Sequence, residues 1–142
     1  MGLLCFDEHM KNLKGSTIVL AALLALPLLI PSWIGKAGAA GGSFFVYFGS
    51  YTARSGQGIY VSRLDTSTGK LTAPELAAEV SNPSFLALHP GHKFLYAVSE
   101  IDEFNGKKSG AVGAFAIDPK TGKLRFLNKV ASRGTGPCHL IV

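Results

Sequence analysis

Two stretches of this chain repeat each other, and that repeat limits the possible folds more than any other feature. GIYVSRLDTSTGKL runs from Gly58 to Leu71, and AVGAFAIDPKTGKL runs from Ala111 to Leu124. Asp65 maps onto Asp118, Gly69 onto Gly122, Lys70 onto Lys123 and Leu71 onto Leu124, each pair 53 positions apart. Each copy reads as a hairpin. An apolar strand enters an Asp whose carboxylate can cap the turn, a Gly supplies positive φ, and a return strand starts at Leu. The likeness resumes in NPSFLAL (82–88) and GPCHLIV (136–142), now offset by 54 after a one-residue indel. In the first copy HPGHKFLYAVSE follows; in the second the sequence stops at Val142. The repeat therefore predicts a chain that ends as a strand opens, inside a further unit of a longer protein.

A period of about 40–55 residues built from four strands without helical periodicity is the signature of a β-propeller blade. The chain has 17 glycines and uses Tyr, Phe, Val and Thr freely, which favours short strands and tight turns. SFLAL (84–88) is expected as an inner strand, KFLYAVSE (93–100) as the second, GAVGAFAID (110–118) as the third and KLRFLNKV (123–130) as the outer edge. Lys123, Arg125 and Lys129 would protect that edge. FFVYFGSYT (44–52) matches a second strand, with the third and outer strands at 58–65 and 70–80. This first blade should lack its inner strand, which in closed propellers a strand from the far end of the chain often supplies. The expected fold is all-β, about two blades of a partial propeller. Turns are expected near Thr66–Gly69, Pro90–His92 and Pro119–Gly122.

Ahead of the repeats lies an apolar run, STIVLAALLALPLLIPSWI (16–34), preceded by Lys11 and Lys14 and followed by AGAAGG (37–42). A positive start, an apolar core and a small-residue exit are the parts of a secretory signal peptide. The run is expected to be helical from about Ser16 to Ile30 and to pack little against the blades. MGLLCFDEH before it is atypical and reads as an artefact of start-site choice, with Met10 as the start. A retained membrane anchor or a buried core helix are the competing readings, since about 20 apolar residues span a bilayer; Pro27 and Pro31 interrupt the run. The division is thus 1–40, signal peptide or anchor, and 41–142, propeller. The protein is expected to be secreted or periplasmic, touching a membrane only through an uncleaved N-terminal segment.

The net charge of +5 is spread singly except at Lys107-Lys108, beside Asn105-Gly106, which reads as a solvated loop tip. No basic stripe with interleaved aromatics occurs, so nucleic acid is not an expected partner. Cys5 and Cys138 are the two cysteines, and no Cys/His cluster has metal-ligand spacing. Cys138 and His139 are adjacent and point to opposite faces if they lie in a strand, which argues against a thiolate–imidazole pair and for a buried structural cysteine.

Together GSYT (49–52), NPSFLALHP (82–90), FLYAVSE (94–100) and GPCHL (136–140) closely resemble the N-terminal part of the lactonase family of seven-bladed β-propellers. That family includes the propeller-type 6-phosphogluconolactonases and is related to the fungal carboxymuconate cyclase. The resemblance covers Phe45 to Val142 and implies hydrolysis of a sugar lactone to its hydroxy acid, with neither a metal nor an organic cofactor. His89 stands where the family often has Asp or Ser before Pro, a change expected to matter only to a surface turn. Phosphorylated sugar lactones are cytoplasmic, so an exported relative is expected to use an unphosphorylated aldonolactone. The residues the family usually uses for catalysis lie largely in later blades.

Lactone hydrolysis needs a base to activate water and donors for the developing oxyanion. His139, at the entry of an inner strand, is the first candidate, against a structural histidine. Glu100 ends FLYAVSE and could serve as base or orient a histidine, against a solvated carboxylate. Tyr51, Arg54 and Arg133 are candidate substrate-binding residues, against blade packing for Tyr51 and plain solvation for the arginines. The small-molecule partner would be a lactone. A non-catalytic propeller serving as a binding scaffold outside the cytoplasm is the alternative from another functional class.

Overall fold

The computed structural model describes residues 41–52 and 55–142, together with the backbone of Leu3–Asp7. In chain order the strands are β1 (Leu3–Asp7), β2 (Ser43–Gly49), β3 (Gly58–Asp65), β4 (Lys70–Leu71), β5 (Glu75–Glu79) and β6 (Leu86–Leu88). They continue with β7 (Phe94–Ser99), β8 (Glu103–Phe104), β9 (Lys107–Lys108), β10 (Ala111–Ile117) and β11 (Leu124–Ala131). One sheet has the order β1-β2-β3-β4, with β5 also on β3; the second is β11-β10-β7-β6, and β8-β9 form a separate ribbon. All pairings are antiparallel. The described residues are thus all β and contain no helix. The two sheets are successive blades.

Alternation along the strands produces the core. β10 alternates buried and half-buried residues along its whole length, which puts Phe115 and Ile117 on one face. Leu86, Leu95, Ala97 and Leu124 join them from the neighbouring strands and meet Phe45, Tyr47, Ile59, Val61 and Ala77 of the first blade. Polar contacts seat the β10–β11 turn on that blade. The Tyr47 hydroxyl donates to the Gly122 carbonyl at 2.8 Å, and Lys123 Nζ donates to the Leu76 carbonyl at 2.8 Å. The Arg63 guanidinium lies 4.4 Å over the Phe45 ring and donates to the Lys120 carbonyl.

Both expected Asp turns form. Asp65 Oδ1 accepts the N–H groups of Ser67 and Thr68 at 2.8 and 3.3 Å; Asp118 Oδ1 accepts those of Lys120 and Thr121 at 2.8 and 3.1 Å. Gly69 and Gly122 close the turns at φ 70° and 72°. These bonds hold both carboxyls below their ordinary range, through the Ser67 hydroxyl first for Asp65 and the Lys120 N–H first for Asp118. A carboxyl with a depressed folded-state pKa stabilises the fold above its unfolded pKa, and that contribution is lost as the pH falls through the folded value. Thermal midpoints should therefore fall as the pH drops from about 5 to about 3. A double variant, Asp65→Asn with Asp118→Asn, should flatten that slope; an unchanged slope would remove these turns as its cause.

The third turn, at 89–92, also forms: His92 N donates to the His89 carbonyl at 2.8 Å, with His92 at φ 55°. His89 Nδ1 accepts the Gly91 N–H at 3.0 Å, as an Asp or Ser oxygen would in such a turn. Asn105 and Gly106, at φ 52° and 72°, form the two-residue turn between β8 and β9, so the Lys107-Lys108 tip belongs to a short hairpin.

Four expectations need correction. The first blade does not lack an inner strand: Leu3–Asp7, read as a start-site artefact, pairs with β2 from Leu3↔Phe48 to Asp7↔Phe44. The outer strand at 70–80 is split into β4 and β5, because Pro74 has no N–H for the ladder. GPCHLIV does not open a strand: its counterpart Leu86–Leu88 is held by β7, whereas no described strand pairs with 138–142. For the same reason Cys138 is exposed, not buried. The expected helix at Ser16–Ile30 and the signal segment lie outside the described residues.

Candidate functional site

The ends of β2 and β7 and the approach to β6 lie along one edge of the two blades. Gly49 sets the spacing there, because a Cβ on it would lie 2.0 Å from the Pro83 carbonyl oxygen. Only a residue without a side chain lets β2 end so close to the next blade. Two residues on, Tyr51 crosses the boundary and its hydroxyl donates to Glu100 Oε2 at 2.8 Å.

Asn82 braces both partners. Its side-chain oxygen accepts the Thr52 N–H and hydroxyl, each at 3.0 Å, and its Nδ2 donates to the Glu100 carbonyl at 3.2 Å. Its own carbonyl accepts the N–H groups of Glu100 and Ser84 at 3.0 and 2.9 Å. This requires φ of 45°, which Asn tolerates better than most residues. Its counterpart in the next repeat, Gly136, has φ 58° and donates its N–H to the Ile101 carbonyl at 3.0 Å.

The pair polarises itself. The Glu100 carboxyl is held below its ordinary value, first by the Ser84 hydroxyl and then by that of Tyr51. Ser84 Oγ is shut off from solvent yet completes no hydrogen bond of good geometry, so its effect on Glu100 comes from proximity. The Tyr51 phenol is pushed up, mainly because its O–H is hydrogen-bonded to the Glu100 carboxylate. At neutral pH the edge thus presents an ionised carboxylate gripped by a neutral phenol.

His139 is exposed, and its ring rests on Phe85 with centroids 4.5 Å apart. Glu100 pairs with Tyr51, not with a histidine. Tyr51 is half-exposed, so it lines the edge and is not packed between blades. Arg133 is exposed at φ 63°, with its N–H donated to Ser109 Oγ at 3.0 Å. Arg54 lies outside the described residues. The sequence offered one overlooked sign of Asn82 and Ser84, the Asn-Pro-Ser run that marks a turn into the inner strand. A cleft of about 530 Å³, lined by Thr52, Gln57, Glu79 and Lys129 among others, opens beside this edge and includes none of Tyr51, Glu100 and His139.

Residues 45–142 match the family described as "Lactonase, 7-bladed beta-propeller". The chain belongs to the lactonase family. Within that family, 96 residues are 38% identical to a 6-phosphogluconolactonase of Bacillus subtilis, covering 68% of this chain and 26% of the relative. A periplasmic gluconolactonase of Pseudomonas aeruginosa superposes with a TM-score of 0.57 at 32% identity, over 64% of this chain and 25% of that one. A Bacteroides fragilis structure, named provisionally as a 6-phosphogluconolactonase, gives a TM-score of 0.62 at 34% identity, over 75% and 28%. The chain spans about a quarter of the length of these lactonase relatives.

Proposed function

We propose that these two blades are part of a lactonase that opens a sugar lactone to its hydroxy acid at the mouth of the propeller. The observation that carries this reading is the ionised Glu100, held by Tyr51 across the blade boundary in a chain of the lactonase family. Water attacks the lactone carbonyl while a base takes its proton. The ring C–O bond then breaks, and the leaving alkoxide takes a proton to become the hydroxyl of the product. Glu100 or His139 serves as the base, and Tyr51 contacts the substrate. Arg54 and Arg133 are candidate partners for its polar groups. The lysines and apolar run before the small-residue stretch support export, and with it an unphosphorylated aldonolactone as substrate.

The test is made on protein in which these blades stand in a complete ring, assayed against gluconolactone and its 6-phosphate. Glu100→Gln and His139→Ala are each expected to lower turnover at least tenfold if the residue acts in the chemistry, about 1.4 kcal/mol of transition-state stabilisation per tenfold. A drop of less than twofold with an intact fold returns that residue to a structural role. No hydrolysis of any small lactone by the complete ring would favour the scaffold reading.

A further inference from the structure

The cleft of about 530 Å³ beside the candidate site is built by both blades. Thr52, Gln57 and Glu79 come from the first blade, Ser81 from the segment that leaves it, and Lys129 from β11 of the second. Lys129 pairs with Gly113, a buried position of β10, so it stands on the side of the second blade that faces the first. A blade that follows the second would pack on its other side, because each repeat contacts its neighbours in order. The cleft therefore belongs to the boundary between these two blades.

Its cation has no anion. Lys123, just before the other end of β11, is fully engaged: Nζ lies 2.9 Å from Glu75 Oε2 and donates to the Leu76 carbonyl at 2.8 Å. Lys129 is half-buried, yet among the described residues no carboxylate or carbonyl takes its protons. Its ammonium lies 5.6 Å from the centre of the Phe104 ring, a face that attracts charge but supplies no lone pair. Burial holds the Lys129 amine below its ordinary pKa, a cost that an anion placed against it would offset.

The remaining groups decide what else that anion must carry. The Thr52 hydroxyl already donates to Asn82 Oδ1 at 3.0 Å, which leaves it only lone pairs to offer a ligand. The Glu79 carboxylate is likewise an acceptor. Two acceptors call for O–H donors on the ligand. They count against a phosphate, whose oxygens mainly accept and whose charge Glu79 would repel. The Gln57 side-chain amide and the Ser81 hydroxyl, without partners among the described residues, can donate as well as accept.

We propose that this cleft binds a polyhydroxy monocarboxylate, an open-chain sugar acid, with its carboxylate on Lys129 and its hydroxyls on Thr52, Gln57, Glu79 and Ser81. The cleft contains none of Tyr51, Glu100 and His139, so it is a second site on the same blade boundary. The ligand is of the class a lactonase releases as product; that correspondence rests on the lactonase reading, whereas the binding does not.

Calorimetric titration of the complete-ring protein with gluconate tests this and requires no hydrolysis. Saturable binding is expected, weakened about tenfold or more by Lys129→Met, since a charged hydrogen bond is lost. Glu100→Gln should leave the affinity nearly unchanged. Sorbitol, which lacks the carboxylate, and inorganic phosphate, which lacks the hydroxylated chain, should each bind about tenfold more weakly than gluconate or worse. Should circular dichroism show Lys129→Met unfolded, NMR of the wild-type protein decides: gluconate should shift the Gln57 side-chain amide signals, and sorbitol at the same concentration should not. Absence of saturable binding, unmoved Gln57 signals or a Lys129→Met variant that binds like wild type overturns the proposal. Phosphate binding as tight as gluconate overturns it too, as does binding that Glu100→Gln abolishes. Gluconate binding intact in a protein that hydrolyses no lactone would count against the lactonase reading alone.

Discussion

Replacing Tyr47 with alanine is expected to lower the unfolding free energy by about 3–5 kcal/mol, the range for emptying a buried aromatic site. Tyr47 is fully buried between the two blades, where it contributes apolar surface and a hydroxyl directed at the Gly122 carbonyl. Its neighbours are strands fixed in ladders on both sides, so the cavity cannot collapse cheaply. Tyr47→Phe should cost much less, about 1–2 kcal/mol, because the ring stays and one acceptor loses its partner. Proteins of this size are stable by only about 5–15 kcal/mol, so the alanine variant would be close to its limit. Urea unfolding of the three proteins decides the matter. An alanine variant within about 1 kcal/mol of wild type, or a phenylalanine variant equal to it, would mean that the blade interface does not carry the fold.

The second large effect separates backbone strain from packing. Gly69 and Gly122 have nearly the same φ, 70° and 72°, in hairpins of the same design. Alanine at either position pays a similar penalty for the left-handed region, about 1–2 kcal/mol. Only at Gly122 would the new methyl strike another residue, the Phe45 ring, which is buried and lies beneath the Arg63 guanidinium. Overpacking of this kind adds about 1–3 kcal/mol. Gly122→Ala should therefore unfold at clearly lower urea than Gly69→Ala, by up to about 3 kcal/mol. Equal losses at the two positions would show that Phe45 yields freely and that the turn is not locked onto the first blade.

Strand positions and turns were legible in the residues because both are local. Alternation along 111–117, the Asp-x-x-x-Gly hairpins and the Asn-Gly pair act within a few residues of themselves. Each dictates the same geometry wherever it occurs. The repeat added the blade, since a unit found twice at a fixed spacing must bury its faces against its own kind. Pro74 was also visible, and its effect on the outer strand could have been read from the missing N–H.

The candidate site was legible only as a set of residue types. Tyr51 and Glu100 are far apart in the chain and meet because Gly49 lets one blade end against Pro83 of the next. Asn82 looks like an ordinary turn residue until its side chain is seen holding Thr52 and the Glu100 carbonyl together. The same holds for Leu3–Asp7, whose pairing with β2 depends on an open sheet edge that no local pattern announces. Exposure at Cys138, Leu71 and Val130 was likewise out of reach, because burial is set by what packs on a surface. Local sequence chose the strands and the turns. Contacts across the blade boundary, where one chemical group meets another from a distant part of the chain, chose which side chains face each other and which remain uncovered.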